Sequence, residues 1–185
     1  MSTTSYLAQA AVPLIWLVIA CVGALVRTRG VQDRAARLET WQRWWAIAAL
    51  GCGSLWMTIS FLTIPDVMAE AIGFARTPFA FEIAFANLAL AFLGLRAASG
   101  SYRERMTIGI SAGLFLWGAT IGHLYQWIAN GDNAPGNVGG VLAYDILIPA
   151  VMIILARRSR TVQNLAAQPQ FGAEAPADRR RPVAG

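Results

Sequence analysis

Five apolar stretches, each long enough to cross a lipid bilayer, constrain the fold of this chain more than any other feature. They cover approximately residues 8–26, 45–64, 79–95, 107–127 and 138–156. A spanning helix needs roughly 17–25 mostly apolar residues. The 185-residue chain is 56% hydrophobic and only 14% charged, which leaves too little polar chain to cover five such helices in water. The sequence therefore predicts an all-α integral membrane bundle of five transmembrane helices within residues 1–156, followed by a disordered basic cytoplasmic tail at 157–185.

The basic residues are distributed asymmetrically about these spans. All fifteen are arginine, and Arg76 alone lies on the side of the membrane opposite to the others. Short cytoplasmic loops carry an excess of basic residues, so this distribution predicts an external N-terminus and a cytoplasmic C-terminus. The net charge of +5 predicts anionic lipid at the cytoplasmic face as a partner. It is poor evidence for nucleic acid, because the arginines flank spans instead of alternating with aromatic residues.

Three ionisable side chains fall inside predicted spans, where such groups are rare and costly. They are Glu82, His123 and Asp145, and they come from three different helices. At a rise of 1.5 Å per residue they lie roughly 5, 6 and 10 Å below the outer ends of their spans. Asn87 and Gln126 lie in the same outer halves. These similar depths predict one outward-facing intramembrane polar site.

The residue types of this site suggest several kinds of chemistry. One imidazole and two carboxylates could supply three ligands to a divalent metal ion, which makes Glu82, His123 and Asp145 candidate metal ligands. Asn87 and Gln126 would then be ligand-binding residues that orient them. The same groups could instead relay protons, pass a small solute, or bind a quinone or lipid headgroup. A further alternative is a non-catalytic scaffold or accessory subunit, in which polar side chains only join helices.

Enzymatic activity is not indicated by any motif in the chain. No HExxH, paired CxxC, GxSxG or P-loop pattern occurs, so no catalytic residue is assigned.

Pro149 follows Asp145 by four residues and frees the carbonyl of residue 145, which predicts a bend in the last span near residues 145–149.

Two small-xxx-small patterns lie in the fourth span. They are GISAG (residues 109–113) and GATIG (residues 118–122), and their glycines allow a neighbouring helix to approach closely. Packing within the chain is favoured over a dimer interface. A membrane-protein partner and a homo-oligomer both remain open as alternatives.

Three segments resemble an uncharacterised family of small bacterial integral membrane proteins, known only as a domain of unknown function. The segments are FEIAFANLALAFLGL (residues 81–95), GATIGHLYQ (residues 118–126) and NAPGNVGGVLAYDILIPAVMIIL (residues 133–155). The resemblance covers roughly residues 50–156 and implies a multi-pass protein of the bacterial plasma membrane. It brings no activity with it. All five predicted site residues, together with Asn137, fall inside the similar segments.

Overall fold

The computed structural model describes residues 3–167, and the side chains of residues 3–162, as helices joined by short loops. The helices are α1 (Thr3–Ala11), α2 (Leu14–Arg27), α3 (Arg34–Trp44), a π-helical segment (Trp45–Cys52), α4 (Gly53–Thr63), α5 (Pro65–Ile72), α6 (Phe79–Ala98), α7 (Tyr102–Asn130), α8 (Pro135–Val138) and α9 (Gly140–Ala167). No strand occurs in this part of the chain. The all-α prediction is confirmed for the described residues. Helix α9 continues into the predicted tail, and residues 168–185 lie outside the described part.

Four helical stretches are long and apolar enough to cross a membrane, as expected of a multi-pass protein. They are Arg34–Thr63, Phe79–Ala98, Tyr102–Asn130 and Pro135–Val162. Helices α1 and α2 meet the same criteria only as a pair, and they are bent by 52° relative to each other. The described residues therefore contain four candidate spans, or five if the bent pair crosses as one.

Proline explains why the first predicted span is broken. Helix α1 ends at Ala11, and α2 begins at Leu14, immediately after Pro13. A proline lacks the backbone N–H of a helical residue, and its ring clashes with the carbonyl four residues earlier, here that of Gln9. The single straight helix predicted for residues 8–26 is therefore replaced by two helices.

The second span is longer than predicted because its helix begins in the arginine-rich loop. Residues 34–63 form one continuous helical stretch with the π-helical segment at its centre. This segment is the most buried part of the bundle, and it packs against α2, α6 and α9. A Cβ at Gly94 of α6 would lie 2.7 Å from the Ala46 carbonyl oxygen. Glycine is therefore required where the two backbones meet.

Small residues also bring α7 and α9 together. A Cβ at Gly109 would lie 3.1 Å from Ile153, and one at Gly113 would lie 3.3 Å from the Cβ of Pro149. The predicted packing of the GISAG pattern within the chain is confirmed. The GATIG pattern is different, because nothing lies within 4 Å of a Cβ placed at Gly118 or Gly122.

The chain order places most arginines at one end of the bundle, which we call the arginine-rich end. It comprises the last turns of α2, α6 and α9 and the first turns of α3 and α7. Arg105 of α7 is only 5% exposed there. Its Nε and Nη2 donate to the carbonyl oxygens of Ala97 (2.8 Å) and Ala98 (3.0 Å), at the end of α6. Its Nη1 and Nη2 also donate to the two Glu39 carboxylate oxygens of α3, at 2.5 and 2.8 Å.

Neighbouring ion pairs extend this contact. Arg43 donates to Glu39 from one turn further along the same helix, at 2.8 Å. Arg96 pairs with Glu104, which also belongs to the capping box that begins α7 at Ser101. The arginine-rich end is therefore held by a set of glutamates that bridge three helices.

Candidate functional site

The opposite, arginine-poor end consists of α1, α5, α8, the last turn of α7 and the loop at residues 131–134. Its centre is Asn137, which is fully buried. The Asn137 Nδ2 donates to the carbonyl oxygens of Asp132 (2.9 Å) and His123 (3.4 Å). The Asn137 Oδ1 lies 2.7 Å from His123 Nδ1. One amide side chain therefore fixes the end of α7, the loop and α8 to one another.

These contacts assign the tautomer of the only histidine. Because the Asn137 nitrogen donates to two carbonyls, its oxygen must accept from the imidazole. His123 therefore carries its proton on Nδ1, and Nε2 holds an unshared electron pair when the ring is neutral. No side chain among the described residues forms a hydrogen bond with Nε2. His123 is half-buried, so this atom is the one basic nitrogen that the site offers to a ligand.

Contacts of Asp132, Gly73 and Tyr6 also hold the loop at residues 131–134 in place. Asp132 accepts a hydrogen bond from the Ala134 N–H through Oδ1 at 3.0 Å, while its Oδ2 is buried without a partner in the described structure. Gly73 ends α5 with a φ of +83°, and a Cβ there would collide with the Asp132 carboxylate. Tyr6 of α1 donates to the Asn133 carbonyl oxygen at 3.0 Å.

Four of the five predicted site residues, Asp145 among them, do not join this cluster. Glu82 is exposed in the first turn of α6. Asn87 is buried, but its Nδ2 donates within its own helix to the Ile83 carbonyl oxygen at 3.0 Å. Gln126 accepts from Asn130 Nδ2 at 2.5 Å, again within one helix. Similar depth in the membrane did not make these residues neighbours.

Asp145 lies deeper, between α9 and α7. Trp117 Nε1 donates to the Ile146 carbonyl oxygen at 3.4 Å, which places Asp145 level with Trp117 on the neighbouring helix. His123 is six residues further along α7, or about 9 Å at 1.5 Å per residue. The Asp145 side chain is 4% exposed. It forms no hydrogen bond or ion pair with any residue that the structure describes.

The predicted three-ligand metal site is not assembled. Within residues 3–162 no group of three or more His, Cys, Asp or Glu side chains is placed to hold a metal ion. The physical reason is the direction of each side chain: Glu82 faces outward, Asp145 lies two turns deeper, and His123 is engaged by Asn137. The helix is continuous through Pro149, and the bend proposed there stays a prediction.

The residues that organise both ends were not among the predicted site residues. Asn137 lies in a segment that resembles a tight turn, and Arg105 resembles any other arginine that flanks a span. One signal was present for Asn137, because it is the single polar side chain between Pro135–Gly136 and the apolar start of α9. For Arg105 we find no comparable signal, since Glu39 is distant in sequence.

Comparison with known families assigns the chain to one of them. A family profile described as a family of unknown function, DUF6790, matches residues 10–164. The chain belongs to the DUF6790 family. No curated protein and no solved structure shows significant similarity to it. The expected resemblance to a family of unknown function is therefore confirmed. The family brings no function with it, so the function of this DUF6790 protein depends on its own geometry.

The assigned tautomer can be measured directly, because His123 is the only histidine. In protein labelled with ¹⁵N-histidine and held in bilayers, we expect a protonated Nδ1 and an unprotonated Nε2 in the neutral ring. Asn137→Ala removes the acceptor of the Nδ1 proton and should abolish this preference. Gln126→Ala is the matched control and should leave the spectrum unchanged. A wild-type ring protonated mainly on Nε2, or an unchanged Asn137→Ala spectrum, would contradict the assignment.

Proposed function

We propose that this DUF6790 protein is a non-catalytic membrane scaffold or accessory subunit, whose intramembrane polar side chains join its own helices. The observation that carries this proposal is that these side chains have separate partners. His123 pairs with Asn137, whereas Asn87 and Gln126 each bond within their own helix. In a ligand-binding site, polar groups from several helices would instead converge on one space.

Two other buried polar side chains, those of Thr58 and Tyr144, bond from one helix to another. Thr58 of α4 donates to the Ala84 carbonyl oxygen of α6 at 3.1 Å, and also lies 2.9 Å from the Ser54 carbonyl oxygen. Tyr144 of α9 donates to the Ala49 carbonyl oxygen of the π-helical segment at 3.0 Å. Hydrogen bonds between membrane helices contribute about 0.6–2 kcal/mol each. Such contacts, distributed over the bundle, support a structural role for its polar residues.

An open helix face supports the role of a subunit. Gly118 and Gly122 of α7 have no neighbour within 4 Å of an added Cβ, and both are exposed. Beside them, Ile121 and Tyr125 are 69% and 63% exposed. A small-xxx-small pair allows a second spanning helix to approach closely. This face therefore suits a membrane-protein partner or a second copy of the chain.

Double-mutant cycles on the free energy of unfolding in detergent micelles test the proposal. His123→Ala and Asn137→Ala should couple by about 0.5–3 kcal/mol, since residues in one hydrogen-bond network are not additive. The matched control pairs His123→Ala with Asp145→Asn, and these two effects should add within about 0.5 kcal/mol. Elemental analysis of gently purified wild-type protein should show no stoichiometric metal that depends on His123.

Asp145 decides between this proposal and its closest rival, which is proton or small-solute passage. A buried carboxyl without a partner among the described residues favours that rival, because ionisable groups inside a membrane often mark proton or ion pathways. Strong coupling between His123→Ala and Asp145→Asn would show that the two residues act together. That result would overturn the scaffold proposal in favour of proton passage.

We further infer that the arginine-rich end faces the cytoplasm of a bacterial plasma membrane. The support is the distribution of arginines about the spans. Single cysteines introduced at Asn130 and Ser159, in a variant with Cys21 and Cys52 replaced by alanine, test the orientation in intact cells. An impermeant thiol reagent should label the first and not the second. The reverse labelling pattern would show the opposite orientation.

A further inference from the structure

A groove lies between the first turns of α7 and the last described turns of α9, at the arginine-rich end. Its volume is about 830 Å³, and the residues that line it include Arg103, Arg157 and Arg160. No acidic residue is among its lining residues. The charged residues that line this open groove are therefore all basic.

The three guanidinium groups have no acidic partner in the part of the chain that the structure describes. The Nε of Arg103 donates to the Tyr102 hydroxyl at 3.1 Å, and neither Arg157 nor Arg160 has an acidic partner among the described residues. Arg43 and Arg105, at the same end of the bundle, are by contrast each paired with a glutamate. The positive charge of the groove is thus left for a ligand from outside the described chain.

Tyr102 brings two of these charges to the same place. The guanidinium carbon of Arg103 lies 5.8 Å from the centre of the Tyr102 ring, and that of Arg160 lies 6.0 Å from it. Each cation is attracted to the ring. The two cations repel each other, however, and an anion held between them would remove this repulsion.

The groove continues into apolar surface along α7. Met106 and Ile110 line its lower part. Ile110 is 46% exposed, and Leu114, one turn further along the same helix face, is 75% exposed. An acyl chain could lie along this face while a headgroup occupies the groove. Free phosphate would leave the apolar part unused.

We propose that this groove binds the phosphate of an anionic phospholipid. Arg103, Arg157 and Arg160 contact the phosphate oxygens, and the acyl chains follow the Met106–Leu114 face. Guanidinium groups suit this task because their paired N–H donors match the oxygens of a phosphate. The site is independent of the scaffold proposal, since it shares no residue with the polar contacts that support it.

Binding of phosphatidylglycerol with a fluorescent acyl chain tests the site, using the full chain in neutral detergent. The double variant Arg103→Gln/Arg160→Gln should bind this lipid roughly tenfold or more weakly than wild type, because each arginine near a membrane surface adds to anion attraction. The matched control is Arg158→Gln, which removes an exposed arginine next to Arg157 but outside the groove. We expect it to change the affinity less than twofold. Single Arg160→Gln removes the same charge as Arg158→Gln and is compared with it directly; it also replaces the double variant if the latter fails to fold.

Two further binding measurements identify the source of the phosphate. Labelled phosphatidylcholine should bind wild type weakly, and inorganic phosphate at matched concentration should not displace phosphatidylglycerol. Equal losses in the single variants Arg160→Gln and Arg158→Gln would overturn the site, since affinity would then depend on charge alone. Displacement by inorganic phosphate as effective as that by unlabelled phosphatidylglycerol would overturn the lipid as its ligand.

Discussion

Burial of the Arg105 guanidinium is the interaction on which the arrangement of the helices most depends. A guanidinium group removed from water needs an opposite charge and acceptors for its N–H groups. Arg105 obtains the charge from Glu39 of α3 and two acceptors from the last carbonyls of α6. Removal of Glu39 would leave the buried guanidinium group without its opposite charge. The positions of α3, α6 and α7 at this end are therefore not independent of one another.

Asn137 has the corresponding role at the arginine-poor end, with a neutral amide in place of a charge. It is fully buried and contacts α7 and the loop that leads to α8. Between the two ends, small residues such as Gly94 and Gly113 set the distances between helices. Exposed Phe, Ile and Leu side chains cover the outside of the bundle. Polar contacts thus fix the ends, and close apolar packing fills the middle.

Much of this architecture could be predicted because it depends on local composition. Apolar length predicts the spans, and the positions of the arginines predict which helix ends lie together. The break at Pro13 has a local cause, but residues 8–26 are apolar apart from Gln9, and composition alone did not reveal the break. The partners of Arg105 and His123 depend on how distant segments pack. Sequence does not give that information for Glu39, which lies 66 residues from Arg105.

The predicted metal site shows most clearly what could not be predicted from the sequence alone. Depth along a helix follows from residue number, but the direction of a side chain around the bundle depends on how each helix is rotated. Glu82, His123 and Asp145 were grouped by depth. In the structure Glu82 is exposed, His123 bonds to Asn137, and Asp145 is buried without a partner among the described residues. Rotation is set by contacts such as Gly113 against Pro149, which no single segment contains.

The claim that each end is held by its own polar group is tested most directly by hydrogen–deuterium exchange in lipid nanodiscs. In Arg105→Met, we expect faster exchange in the last turns of α6 and in α3, with α8 and the loop at residues 131–134 unchanged. In Asn137→Ala, we expect faster exchange in α8 and the loop at residues 131–134, with α3 and the last turns of α6 unchanged. Faster exchange at both ends in either variant would contradict the account, because it would show that the polar groups form one coupled network.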